Sequence, residues 1–205
     1  MKRKEREAQA AVFAPCLIFP RTGKENTAQV LEVVRIRAEE LGIKHIVVAT
    51  ASGATGLMAA RIFKGRNVVA VTHSTGFLKP GHQELKPQMR RKLEDAGAKV
   101  LTCQHAFGGL GRAVRKKLGT YELDEIIATT LRIFGEGTKV AVEISLMAAD
   151  AGLIPASEPC LAIGGTNEGA DTALLLKPSN AQTFFDVRIV EIVAKPRLAA
   201  STSNE

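Results

Sequence analysis

Short apolar runs of four or five residues recur along the chain, each followed by a polar or glycine-rich turn and then by apolar positions every three or four residues. Runs of that length bounded by turn residues read as buried strands, and the wider spacing reads as amphipathic helix. The clearest unit spans His45 to Gly76. It holds a strand at Ile46–Ala49, a polar turn at Thr50–Thr55, a short helix from about Gly56 to Phe63, and a second strand at Val68–Val71. That is a βαβ unit, whose two strands run parallel. Ahead of it, Cys16–Phe19 is a first strand ended by Pro20. The polar loop 21–27 leads into a helix stopped by Gly42, with Leu31, Val34, Ala38 and Leu41 expected on one face.

After Gly76, Pro80 and Gly81 make the segment irregular, and a loop over the sheet end is expected. From about Gln83 to Ala96 the steps Leu85, Met89, Leu93 predict a helix, with Pro87 tolerated in its first turn. A strand at 99–103, a glycine-rich turn at 105–112 and a helix from Gly109 or Leu110 follow. Leu123–Phe134 and Val140–Ala151 read as two helices separated by Gly135, Glu136 and Gly137. Next come a strand at Cys160–Ile163, the turn Gly164–Asp171 and a strand at Thr172–Lys177. Asp186–Ala194, closed by Pro196, fits strand and helix equally. Strands alternating with helices over the first 120 residues predict a three-layer α/β/α sandwich on a mostly parallel sheet. In such sheets ligands gather at the carboxyl ends of the strands. Repeats and linkers are missing from the pattern, so a single domain over 1–205 is expected, with 1–10 and 198–205 as flexible tails.

Composition changes this picture little. At 205 residues the chain suits one core, and with 4% aromatics and no Trp that core must be built from Val, Ile, Leu and Ala. The formal charge of +7 favours anionic partners, phosphorylated metabolites and nucleic acid alike. Cys16, Cys103 and Cys160 are odd in number and lack C-x-x-C spacing, so reduced thiols in a cytoplasmic protein are expected rather than a disulfide framework or zinc ribbon. Pro15 interrupts the apolar run after the basic start and no A-x-A pattern follows, against a signal peptide. No apolar run approaches the roughly 20 residues that span a bilayer, so no membrane partner is expected.

Candidate chemistry concentrates in the turns after the strands. In T-A-S-G-A-T, the hydroxyls of Thr50, Ser52 and Thr55 meet Gly53 and Ala54 where a helix begins, so amide N–H groups and the helix dipole converge on an anion. The turn is neither a Walker loop nor a G-x-G-x-x-G fingerprint, and Ser52 or Thr50 could serve only as a helix cap. His73, with Ser74 and Thr75 after it, and His105 stand just past strand ends, for polar contact, proton transfer or loop capping. Cys103 and His105 would share a strand face, a thin hint of metal with only a scattered third ligand available. Glu143, in the otherwise apolar A-V-E-I-S-L-M, needs a partner if buried, such as a ligand hydroxyl or ring nitrogen. Asp171 is a loop organiser or a ligand contact. The basic stretches Arg90–Lys92 and Arg112–Lys117 lack interleaved aromatics and read as solvated faces.

Thr50, Ser52, Gly53 and Thr55, followed by Ala70, Val71 and Thr72 at the end of the next strand, resemble the effector-binding C-terminal domain of pyruvate kinase. In that family the turn grips a phosphate of a sugar-phosphate effector. Here Ala51 and Ala54 replace a Lys and an Arg common in the kinase loops, so the effector's identity does not carry over. The chain has no room for the kinase's catalytic barrel, so kinase activity is not expected. Along nearly its whole length it is similar to stand-alone pyruvate kinase C-terminal domain-like proteins. The landmarks are G-K-E-N-T at 23–27, V-T-H-S-T-G-F at 71–77, H-A-F-G-G at 105–109 and G-G-T-N-E-G-A-D-T-A-L at 164–174, with F-F-D and A-K-P-R near the end. That resemblance implies flavin mononucleotide (FMN) as ligand and no established reaction. The phosphate would sit on Thr50–Thr55. Gly108, Gly109, Gly164 and Gly165 would admit backbone close to the ring, Phe107 would pack on it, and Thr166 would join the contacts. Three functions follow in order: a ligand-binding or regulatory protein for a phosphorylated small molecule, a flavin-dependent enzyme using the same pocket, and a nucleic-acid binder. A homo-oligomer is compatible with each.

Overall fold

The structure, a computed structural model, describes residue 11 and residues 13–197; both tails expected to be flexible lie outside the described residues. In chain order the elements are β1 (Leu17–Phe19), α1 (Thr27–Glu40), β2 (His45–Ala49), α2 (Ala54–Ile62), β3 (Asn67–Val71), α3 (Pro87–Asp95) and β4 (Lys99–Leu101). There follow α4 (Leu110–Leu118), α5 (Leu123–Arg132), α6 (Glu136–Asp150), β5 (Cys160–Gly164), β6 (Thr172–Lys177) and β7 (Arg188–Pro196). The strands form one sheet in the order β1-β7-β6-β5-β2-β3-β4. Only β6 opposes the other six.

Apolar runs with no alternation arise because both faces of the sheet are covered. Ile46 and Val48 of β2 point into one core with Val30, Leu31 and Val34 of α1, while Val47 between them points into a second core with the apolar face of α6. Leu161 and Ile163 of β5 repeat the first assignment, and Cys160 and Ala162 the second. This is the three-layer α/β/α sandwich on a mostly parallel sheet that the pattern predicts. The strand order reverses between β2 and β5, because β3 and β4 lie to one side of β2 and β5, β6 and β7 to the other. A crevice at the carboxyl ends of β2 and β5 is the usual consequence. No helix among the described residues is long and apolar enough to cross a membrane.

Several boundaries differ from expectation for physical reasons. Leu41 caps α1 and is exposed, one step beyond the buried stripe. α3 begins at Pro87, whose missing N–H costs nothing in a first turn, so Leu85 is buried from the preceding loop. β4 ends at Leu101, which leaves Cys103 and His105 in a loop rather than on one strand face. The ambiguous stretch after Asp186 is strand: β7 joins β6 along its length and β1 at its end, with Pro196 paired to Phe19. α6 starts at Glu136 rather than Val140, with Gly137 inside it.

Candidate functional site

A cleft of about 750 Å³ opens at this carboxyl edge. Its first wall is the turn after β2. The amide of Thr50 extends the sheet by donating to Val71 O at 2.9 Å, which fixes the residue at the strand end. Thr50 Oγ1 then accepts the N–H groups of Gly53 (3.1 Å) and Gly56 (3.3 Å), so Thr50 caps α2 and Ser52, exposed, does not. The turn needs glycine at 53: its φ is +95°, and a Cβ there would overlap Met89 Cγ. Ala54 and Thr55 occupy the first two positions of α2, where an amide has no acceptor within its own helix. The first turns of α1, through Thr27 and Ala28, and of α6, through Glu136 and Lys139, border the same cleft.

A second wall is aromatic. The Phe77 ring packs against both His73, at 4.1 Å between centroids, and His105, at 4.9 Å; the two imidazoles are themselves 5.6 Å apart, so the three rings form a triangle, and the Arg112 guanidinium lies 4.8 Å over Phe77. His73 Nδ1 is 2.7 Å from Glu84 Oε2, which sets the ring's tilt. Ser74 N donates to His105 Nε2 at 3.4 Å, and Thr75 accepts from Gln83; both hold the loop together outside the cleft lining.

The third wall is α6. Lys139 Nζ and Glu143 Oε2, one turn apart, lie 2.5 Å from each other, both nearly inaccessible to solvent. Glu143 Oε1 accepts the Phe107 amide at 2.9 Å, and His105 Nδ1 stands 3.7 Å from Oε2. Burial works to raise the Glu143 pKa, but the facing His105 ring and the Lys139 ammonium outweigh it and hold the carboxyl down at about 2. The partner that Glu143 requires is therefore supplied by the protein itself.

Other expected contacts have internal roles. Asp171 is fully buried and organises its loop, accepting from Gly23 N (3.2 Å), Thr166 N (3.1 Å) and Thr172 Oγ1 (2.7 Å). Phe107 is buried edge-to-face on Phe184 at 5.7 Å and offers no face to the cleft. A Cβ on Gly164 would overlap the carbonyl of Gly137, so that glycine admits α6 rather than a ligand. Gly108 is filled over by Arg112 of α4 and Gly109 by Gln104 from the loop before it, whereas Gly165 does line the cleft. Among the described residues no group of three or more His, Cys, Asp or Glu could hold a metal ion. In the basic stretches, Arg115 pairs with Glu125, and Arg90 with Glu94 and Thr102.

The structure thus brings together Thr50, Ser52, Ala54, Thr55, His73, His105, Glu143 and Gly165, with Gly53 shaping the turn behind them. Sequence reasoning missed Phe77, Lys139 and Arg112. A signal for Lys139 existed in its four-residue spacing from Glu143, but only to a helix begun early enough to include it. The protein's positive charge is not gathered here, since four Lys and Arg residues of the lining face five Glu. Lys24–Glu168 and Arg132–Glu136 are paired at 3.1 and 2.5 Å.

The sequence model of the pyruvate kinase alpha/beta domain matches residues 28–176, from the start of α1 to the end of β6. This chain belongs to the pyruvate kinase alpha/beta domain family. Among solved structures it is similar to a pyruvate kinase from Cryptosporidium parvum at 14% identity and a TM-score of 0.40, over 74% of this chain and 22% of the kinase. The Cryptosporidium parvum pyruvate kinase in complex with ADP matches at 16% and 0.37, over 72% and 22%. An O-ureido-L-serine synthase variant with O-ureido-L-serine bound matches at 20% and 0.30, over 61% and 47%. The chain spans about a fifth of the length of these kinases.

Proposed function

We propose that this alpha/beta domain binds a small molecule through its phosphate, seated on the first turn of α2, in a ligand-binding or regulatory role. The observation that carries the reading is the Thr50 cap: it takes up the amides of Gly53 and Gly56 and leaves those of Ala54 and Thr55 at the positive end of the helix dipole, bordering the cleft. FMN is the best single candidate. A cleft of about 750 Å³ suits a ligand of that size, since ligand pockets run from about 300 to 1,000 Å³. Val71, Ile144 and Met147 supply apolar lining for a flat ring beside Phe77 and His105. A bound flavin would supply redox chemistry; the chain's own part would be to bind, orient and shield it. A flavin-dependent enzyme is the second reading, favoured by His105 in the cleft with Glu143 behind its Nδ1. A cytoplasmic setting fits the three free thiols.

The test is Ser52→Asp, which sets a carboxylate on the phosphate seat. Binding of FMN and of inorganic phosphate should weaken at least about tenfold, from like-charge repulsion in a partly buried turn, while riboflavin binding stays as it was. Unchanged affinity for both phosphates would reduce the turn to a helix cap.

A further inference from the structure

Lys139 is 3% exposed, borders the cleft, and among the described residues has Glu143 as its one hydrogen-bond partner. An ammonium carries three donors, so two are left over in a place where water hardly reaches. The pair is already neutral, and Glu143 is occupied by Phe107 N and faced by His105, so a second carboxylate would be repelled. An uncharged oxygen would not. The remaining charges near Lys139 along α5 and α6, Arg132 and Glu136, are paired with each other. Lys139 also belongs to the helix layer opposite α2, because α6 packs on the Val47 face of the sheet and α2 on the Ile46 face.

We propose that Lys139 is a second recognition point of the cleft, donating to a carbonyl or hydroxyl oxygen on the part of the ligand away from its phosphate. This rests on the reading of the cleft as a phosphate-ligand site. The ligand would bridge the two helix layers across the sheet edge, its anion on the α2 amides and its uncharged oxygen on the ammonium. Lys139 would then choose among organic phosphates while leaving the phosphate itself alone. Glu143 is the positioning residue that holds the ammonium in place.

The test compares wild type with the double variant K139M/E143Q, using inorganic phosphate, ribose phosphate and FMN as probes in thermal-shift and calorimetric titrations. The double change removes both charges together, which cores tolerate better than a lone buried charge. The side-chain amide that E143Q introduces keeps an acceptor for the Phe107 N–H. A far-ultraviolet circular dichroism spectrum and a cooperative melt like those of wild type serve as the control for an intact fold. The expected result is unchanged affinity for inorganic phosphate and a loss of about tenfold or more for whichever organic phosphate wild type binds, the scale of a hydrogen bond to a charged group. Unchanged affinity for the organic phosphates overturns the proposal, and so does an equal loss for inorganic phosphate. If Ser52→Asp leaves organic-phosphate binding intact while K139M/E143Q weakens it, the phosphate seat fails and the Lys139 contact stands. If wild type binds none of the three probes, both fail.

Discussion

Glu143 Oε1 accepts the backbone N–H of Phe107 at 2.9 Å, joining the middle of α6 to the glycine-rich turn after β4. The same carboxylate holds Lys139 through its other oxygen. One buried group therefore ties two walls of the cleft together. Glu143→Ala would strand a buried ammonium and an amide at once, and breaking a buried pair from one side costs about 3–5 kcal/mol. Glu143→Gln keeps an acceptor for the Phe107 amide and should cost less. Urea unfolding of the two variants against wild type checks the order.

The low pKa of Glu143 makes stability depend on acid. Its folded value of about 2 lies under the ordinary value of 4.5, so the unfolded chain binds the proton more readily. The stabilisation is complete above the unfolded value and is lost as pH falls towards about 2. Unfolding free energies measured across that window should decline with acid in wild type. The decline should be shallower in Glu143→Gln.

Gly53 and Gly164 are both closed to a side chain, for different reasons. At Gly53 the positive φ costs a substituted Ala about 1–2 kcal/mol, but the side chains it meets, Met89 and Leu85, are flexible. At Gly164 the obstacle is the Gly137 carbonyl, so α6 itself must shift. Thermal unfolding should show partial rescue of Gly53→Ala by Met89→Ala. It should also show a comparable or larger loss for Gly164→Ala, about 1–3 kcal/mol.

Thr50 is the cap of α2, and Thr50→Val keeps its shape without its acceptor. The loss should be about 1 kcal/mol, with weaker binding of phosphate-bearing probes because the first turn is no longer held open. Thr50→Ser should recover most of both. Paired melting and titration of the two variants measures this.

The legible parts of the fold were those with strong local pattern. Ile46–Ala49 and Val68–Val71 read as strands because residues buried on both faces leave an unbroken apolar run, and the Thr50 turn read as a capped helix start because its residue types suit one. β7 was ambiguous because Ile189 and Val190, apolar yet exposed, blur any period. Gly135 and Gly137 looked like breaks between helices, yet Gly137 lies inside α6, where a Cβ would overlap Thr172 Oγ1. Starting α6 too late left Lys139 outside the helix and hid its one-turn relation to Glu143.

Local sequence by itself determined most of the elements, the layered α/β class and the turn after β2, since hydrophobic period and turn chemistry act over a few residues; it left β7 open and began α6 late. It also carried the family, through Thr50, Ser52, Gly53 and Thr55 with the strand end that follows. Tertiary structure decided which turns meet. His73, Phe77 and His105 come from two loops, and Lys139 from a helix on the far face of the sheet. Their approach depends on glycines that let α6 press against β5 and on the strand order reversing beside β2. Those are long-range packing relations, and no short stretch of residues encodes them.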